Sequence, residues 1–509
     1  MSPRPPNKWS SETGGARGFL VSVGSLASAR VFLAVSQILV LPIMARQLSI
    51  EDFAIMALAM TAVILTQTLS DSGLGRSLIR ASEYDHEEWS SVFWLMVAVG
   101  LGLALITCAL GPVMAWFYDE PRLVGLLAVL STVPLVQAIT AAPNAEVERR
   151  EKFNAIARVQ MTTTTVSLAL AVGLALVGAG VWALVAQQLA LALVRLVGIV
   201  RLSTFRPAWV FRADKLGHHL VFARDTIIQS ILSTVRRQFL VLIIGRVLGA
   251  KDVGYFAMSQ RFSRLAQFGI AGPMSSIVYV RMAKAQGNPQ RLAEIYLGSM
   301  RLLALILIVP MAMLAAGSAP IFALFLGDEW RPVAPIFAMS IGGLTLEAIV
   351  LFFLNCLFRA LSRTDRLVRI TVEGMVLQIV LGLSAFHSLQ AVAISMTVWS
   401  FIMVPRGWQM ARQLIPLSYR DAIAVLVPGL AVATVSIAIY WQLTRILAPS
   451  DWGAAGLAIL IGIAGLGVEV AINWKGLRRA VGMFRADDAQ SARPINTNSA
   501  PMPPPLSPQ

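Results

Sequence analysis

Ala45-Arg46-Gln47-Leu48-Ser49-Ile50-Glu51-Asp52-Phe53-Ala54-Ile55-Met56-Ala57 has a counterpart 200 residues later, Gly245-Arg246-Val247-Leu248-Gly249-Ala250-Lys251-Asp252-Val253-Gly254-Tyr255-Phe256-Ala257. Arg46/Arg246, Leu48/Leu248, Asp52/Asp252 and Ala57/Ala257 stand in register. Each copy is a short polar turn between two long apolar runs. An Arg, a short loop and a capping Asp suit any helix–turn–helix junction, so the residues alone also fit two unrelated turns. Their placement favours a repeat. Six apolar runs separate the copies, and an even number gives both the same membrane orientation. Two such parallel units, related by an axis along the membrane normal, form a known transporter architecture.

Working outward, apolar stretches of spanning length lie at about 19–45, 53–73, 91–112, 123–143, 156–177, 181–202, 222–245, 254–279, 296–318, 334–358, 367–388, 390–411, 422–446 and 453–473. Each is about twenty residues long, as a roughly 30 Å hydrocarbon core requires. Two divisions rest on little, Val177-Gly178-Ala179-Gly180 and His387-Ser388-Leu389-Gln390. No strand-like alternation is seen, which argues against a β-barrel. The expected fold is therefore all-α and polytopic, with fourteen spans. Two six-helix lobes (18–202 and 222–420) are joined by a linker (203–221) and followed by two more helices (421–474). A polar segment (1–17) precedes them, and a basic, then Pro-rich tail (475–509) follows, read as disordered. Residues 18–29 have the form of a signal-peptide core ending in Ala27-Ser28-Ala29. The apolar run continues from Val31 to Met44, so the segment is read as a span.

Composition agrees. The chain has 509 residues, 57% hydrophobic and 14% charged, and a mean hydropathy of +0.70. Soluble domains carry about 25% charged residues. The net charge of +15 is a topology signal. With a cytoplasmic N-terminus, 27 Lys and Arg fall in cytoplasmic segments and 6 on the opposite side, as the positive-inside bias demands. The charge also attracts anionic lipid and is not read as nucleic-acid binding. Cys108 and Cys356 lie in apolar runs and the four histidines are scattered. No disulfide framework, metal site or cofactor is expected.

Nine arginines fall within or at the edges of spans: Arg30, Arg158, Arg195, Arg224, Arg236, Arg237, Arg261, Arg264 and Arg301. A central arginine costs about 2.5–3.5 kcal/mol on the insertion scale. Acidic partners are fewer, chiefly Glu347, Glu373 and Glu469, with Asp71 and Asp225 at span edges. Arg158, Arg195 and Arg224 stand near cytoplasmic ends and can snorkel. Helical spacing puts Gln229, Ser233 and Arg236 on one face with Arg237 adjacent, Gln260, Arg264 and Gln267 on another with Arg261, and Gln188 with Arg195 on a third. Arg30, Arg236, Arg237, Arg261, Arg264 and Arg301 are taken as candidates for an anion-binding cavity, since a guanidinium fork matches phosphate. The alternative for each is a structural pair with a carboxylate. Glu347, Glu373 and Asp71 are either ion-coupling groups or pairing partners.

Arg46-x-Leu48-x-x-x-Asp52-Phe53 between the first two spans resembles the start of polysaccharide transporters of the Wzx type. Leu69-Ser70-Asp71-Ser72-Gly73-Leu74 and the basic turn Glu148-Arg149-Arg150-Glu151-Lys152-Phe153 fit the same pattern. The resemblance covers about residues 18–420 and places the chain with the multidrug/oligosaccharidyl-lipid/polysaccharide exporters. One departure is Ala54, where the family usually has Gly; the second copy keeps Gly254. The resemblance implies flipping of undecaprenyl-diphosphate-linked oligosaccharide across the bacterial inner membrane, for exopolysaccharide or lipopolysaccharide synthesis. It also implies a polymerase and co-polymerase as partners. The family is similar to lipid II flippases, in which arginines on the first and eighth spans line a cationic cavity; Arg30, Arg261 and Arg264 occupy comparable spans. A lipid II flippase proper is one alternative. A drug or cation exporter is another, but its cavity should be acidic. A polymerase or glycosyltransferase needs a sizeable external loop, and none is present. A primary pump needs a phosphate-binding loop, and no G-x-x-x-x-G-K-[ST] occurs.

Overall fold

A computed structural model describes residues 32–33, 35–37, 39–70, 74–80, 84–266 and 271–491. Among them there is no strand, as expected where backbone groups must find partners without water. A helix over 39–47 (α1) opens the described chain. The N-terminal half continues with α2 (Ile50–Ser70), α3 (Leu74–Arg80), α4 (His86–Tyr118), α5 (Arg122–Leu130), α6 (Thr132–Arg149), α7 (Phe153–Leu176) and α8 (Val181–Leu202). Next come α9 (Gly217–Val247), α10 (Ala250–Ala266), α11 (Gly272–Lys284), α12 (Pro289–Ala316), α13 (Ser318–Leu326), α14 (Val333–Ala360), α15 (Thr364–Gly382) and α16 (Leu389–Arg412). The last two are α17 (Tyr419–Leu447) and α18 (Asp451–Ser491).

Eleven helices among the described residues are long and apolar enough to cross a membrane. Three expected spans are outside that number. The span at 19–45 lies largely outside the described residues. The seventh and eighth fall on α9, many of whose side chains lie outside the described set, and on α10 and α11, two helices of 17 and 13 residues on either side of residues 267–270, which also lie outside it. Both doubtful divisions are breaks in the helices, since α7 stops at Leu176 before α8 starts at Val181, and α15 stops at Gly382 before α16 starts at Leu389.

Helix starts follow local chemistry. The side chains of Asp85, Asn288 and Ser388 accept from backbone N–H groups in the first turns of α4, α12 and α16, and Ser418 with Asp421 forms a capping box on α17. The two repeat turns match in register: α2 starts at Ile50 and α10 at Ala250. In the first, Ser49 N–H donates to Asp52 Oδ2 at 3.1 Å and Asp52 N–H donates to Ser49 Oγ at 3.1 Å. The other oxygen of Asp52 accepts from Val181 N–H at 3.2 Å, so one carboxylate caps both α2 and α8. Gly180, with φ +56°, lets the chain pass beside it.

Three apolar clusters hold the helices together. One joins α2, α5 and α8 to α10, α13 and α14, and so crosses between the halves of the chain. A second unites α12, α14 and α16 with α17 and α18. A third, smaller one packs Leu78, Trp89, Phe93, Ala142 and Phe205. Outward-facing Leu105, Val113, Trp116, Phe401, Ile439 and Leu460 are exposed, the apolar exterior that lipid tails require.

Candidate functional site

The two halves close on each other at the repeat turns. A Cβ at Gly254 would stand 2.7 Å from Ile50 O and 3.4 Å from Ala54 Cβ. Positions 54 and 254 are equivalents in the repeat, so this contact between the halves brings a residue beside its own counterpart. Ala54 is tolerated because the partner is Gly. Trp330, from the turn after α13, is buried in this seal. Its ring stands edge-on to Phe53 with centroids 5.3 Å apart, and its indole N–H donates to Ala45 O at 3.1 Å. Arg46 Nη2 donates to Leu324 O at 2.7 Å, and Tyr118 OH to Leu242 O at 3.2 Å.

Away from the seal, the N-terminal half holds a cavity of about 570 Å³. Gln67 on its wall is seventeen residues beyond Ile50 on α2, about 25 Å along a helix rising 1.5 Å per residue. The lining converges from α2 (Gln67, Ser70), α6 (Gln137, Asn144, Glu148), α7 (Gln160, Thr163) and α8 (Gln188, Arg195). Gln67, Gln137, Gln160 and Gln188 make no side-chain hydrogen bond among the described residues. Asn144 donates to Glu148 Oε1 at 2.6 Å, but its buried Oδ1 has no partner, nor has the buried hydroxyl of Thr163. Buried polar atoms are seldom left this way. The wall offers a concentration of neutral donors and acceptors and only two opposed charges, Glu148 and Arg195. Sequence spacing indicated Gln188 and Arg195; the other amides came together only through helix packing.

The sequence-derived candidates are dispersed. Arg236 on α9 lies 3.8 Å from Glu347 on α14, and its guanidinium sits 5.0 Å over the Trp399 ring. Arg237 donates to Thr234 Oγ1 at 3.0 Å, and Thr234 meets Thr68 of α2 at 3.2 Å. Arg261 stands 5.2 Å over the Phe53 ring. Arg236 and Arg237 thus lie where α9 meets α14 and α2, whereas Arg261 is at the seal, since Phe53 precedes Thr68 by fifteen residues, about 22 Å of helix. Arg301 does not join them; it lines a separate cavity against α17 and α18. Arg264 is on α10, with its side chain outside the described set, and Arg30 and Asp71 lie outside the described residues. Glu373 is in a pairing arrangement: Arg406 holds both its oxygens at 2.7 and 2.8 Å, and Arg369 adds a third bond at 3.0 Å. Arg46 and Asp52 act at the seal and the caps; Arg246 lies over Phe117 at 5.4 Å, and Asp252 falls in the first turn of α10.

A family model described as "Polysaccharide biosynthesis protein" matches residues 43–335. The succinoglycan biosynthesis transport protein ExoT of Rhizobium meliloti (strain 1021) is 25% identical over 372 residues, 70% of this chain and 75% of that protein. The lipopolysaccharide biosynthesis protein WzxC of Escherichia coli (strain K12) is 21% identical over 300 residues, 58% and 60% of the two chains. Among solved structures, the lipid II flippase MurJ in an inward closed conformation superposes with a TM-score of 0.72 at 14% identity, covering 90% of this chain and 99% of that one. That likeness concerns the fold. With the matched model spanning more than half of the chain, this multi-pass membrane protein belongs to the polysaccharide biosynthesis protein family.

Proposed function

We propose that this chain is a flippase that carries lipid-linked oligosaccharide repeat units across the bacterial inner membrane. The observation that carries the reading is the amide- and hydroxyl-lined cavity, roomy, neutral and supplied with unpartnered polar atoms. Sugar hydroxyls satisfy such groups, whereas a lipophilic cation has no use for them. The arrangement belongs to alternating access. Fourteen spans form two lobes, 18–202 and 222–420, flanked by the 421–474 pair, with both termini cytoplasmic. In the state described here the lobes are shut at the repeat turns. The oligosaccharide lies in the cavity of the first lobe, and the diphosphate meets arginines at the junction of the lobes, drawn from Arg30, Arg236, Arg237, Arg261 and Arg264. A guanidinium replaces the water of a phosphate with directed donors, while the prenyl tail remains in lipid. Polymerase and co-polymerase act on the product outside.

The test is made in cells. Deleting the gene should leave prenyl-diphosphate-linked repeat units in the membrane and remove surface polymer. A leaflet-accessibility assay should find those units facing the cytoplasm. Accumulated units that face outward would assign the block to polymerisation. Unchanged lipid-linked units and unchanged polymer, in a strain without a second copy, would reject the reading.

A further inference from the structure

The second cavity, about 220 Å³, lies between α12, α17 and α18 and shares no residue with the first. Glu469 and Asn473 face it from α18, Arg301 from α12, and Ala424 and Val425 from α17. Glu469 is 1% exposed. Its Oε2 has no hydrogen-bond partner, and Oε1 is pressed against α17, where a Cβ on Gly429 would stand 2.5 Å away. Arg301 lines the same cavity, yet no ion pair joins the two among the described residues. A carboxyl and a guanidinium in one small cavity, not in contact, have a second arrangement open to them, the ion pair.

We propose that Glu469 is a proton-binding site of the transport cycle. This rests on the transport reading. An ionised carboxylate that is buried with neither donor nor counter-ion in contact is costly. The neutral acid is the form this packing accommodates. When α18 shifts against α12, the carboxyl releases its proton to water through the cavity, and the carboxylate closes on the Arg301 guanidinium. Reprotonation breaks the pair and restores the packing seen here. The site takes up one proton and gives back one proton per cycle.

The neighbouring groups support a proton over a metal cation. The oxygen donors among the lining side chains are Glu469 and Asn473, too few for a hard cation, and Arg301 repels one. On α12 the other titratable groups are Arg291, Glu294 and Tyr296; the first two are paired with each other near the start of the helix, and Tyr296 donates to Val350 O. Between Asp421 and Arg445, α17 carries Tyr440 alone, and α13 carries none. On α18 itself, Asp451 pairs with Arg331 at the far end, Arg478 lies over Trp474, and Lys475, Arg479, Arg485, Asp487 and Asp488 follow toward the end of the helix. Arg301 is thus the charge that faces Glu469 across the cavity.

The full chain in lipid nanodiscs should show, by infrared difference spectroscopy across a pH titration, a protonated-carboxyl C=O band that disappears as pH rises. Glu469→Gln should lack that band; Glu469→Asp should keep a titrating band at a shifted frequency. In cells carrying each variant as the sole copy, Glu469→Gln should lose polymer export and Glu469→Asp should retain it. Identical spectra for wild type and both variants would overturn the proposal, as would a missing band accompanied by wild-type export from Glu469→Gln. The spectroscopic readout needs no substrate, so it stands apart from failure of the flippase reading, which the leaflet assay reports.

Discussion

Replacing Trp330 tests the seal. Trp330 contributes to it on two counts that cross from one half of the chain to the other: the edge-on contact with Phe53 and the hydrogen bond to Ala45 O. Its contact with Tyr255, 6.4 Å between centroids, stays within the C-terminal half and is kept when the halves part. An edge-to-face pair is worth about 0.5–1.5 kcal/mol, and a hydrogen bond about 1 kcal/mol net. Together with some lost packing, Trp330→Ala should weaken the sealed state by roughly 2–3 kcal/mol, or about 30- to 140-fold in population at 1.4 kcal/mol per decade. Trp330→Phe keeps the ring and loses only the N–H, about 1 kcal/mol and so about fivefold. The assay is distance measurement between spin labels at Ser49 and Asp328, both exposed and on opposite sides of the seal, in a background lacking Cys108 and Cys356. The longer-distance population should rise in the order wild type, Trp330→Phe, Trp330→Ala. A folded Trp330→Ala protein with the wild-type distance distribution would refute the reasoning, because the sealed state would then owe nothing to contacts that the opened state lacks.

Four further outcomes follow from the geometry. Gly254→Ala places a Cβ 2.7 Å from Ile50 O, so the same labels should report an opened seal without any lost side chain. Asp52→Ala removes caps from α2 and α8 at about 1 kcal/mol each, lowering the melting temperature of the purified protein more than Asp52→Asn, which keeps an acceptor. Gln188→Leu and Asn144→Leu should cut polymer export while membrane insertion, followed by blotting, is unchanged; normal export from both would remove the cavity from the substrate path. Arg236→Ala, Arg264→Ala and Arg30→Ala should each abolish export in an inserted, folded protein, and wild-type export by all three would reject the diphosphate role.

What could be read from the sequence divides by the range of the interactions. Membrane helices are fixed by runs of about twenty residues, and their ends by caps within a turn, so the break at 177–180, the start of α16 at Leu389 and the register of Ile50 with Ala250 were accessible to local patterning. Glu373 with Arg369 was accessible too, being an i, i+4 pair on one helix; Arg406, which takes both of its oxygens, comes from α16. The sites depend on which helices meet. Gln67, Gln137, Gln160 and Gln188 are single amides on four separate helices, each unremarkable by itself, and no spacing rule links residues that far apart. The intramembrane arginines drew attention because each is costly, yet cost does not identify a partner. Packing sent Arg236 to Glu347 and Trp399, Arg261 to Phe53, and Arg301 to a different cavity altogether. Among the described residues much of the intramembrane charge is taken up by pairing and ring faces, and the cavity proposed to hold the sugar is lined mainly by neutral amides and hydroxyls that no charge pattern could mark.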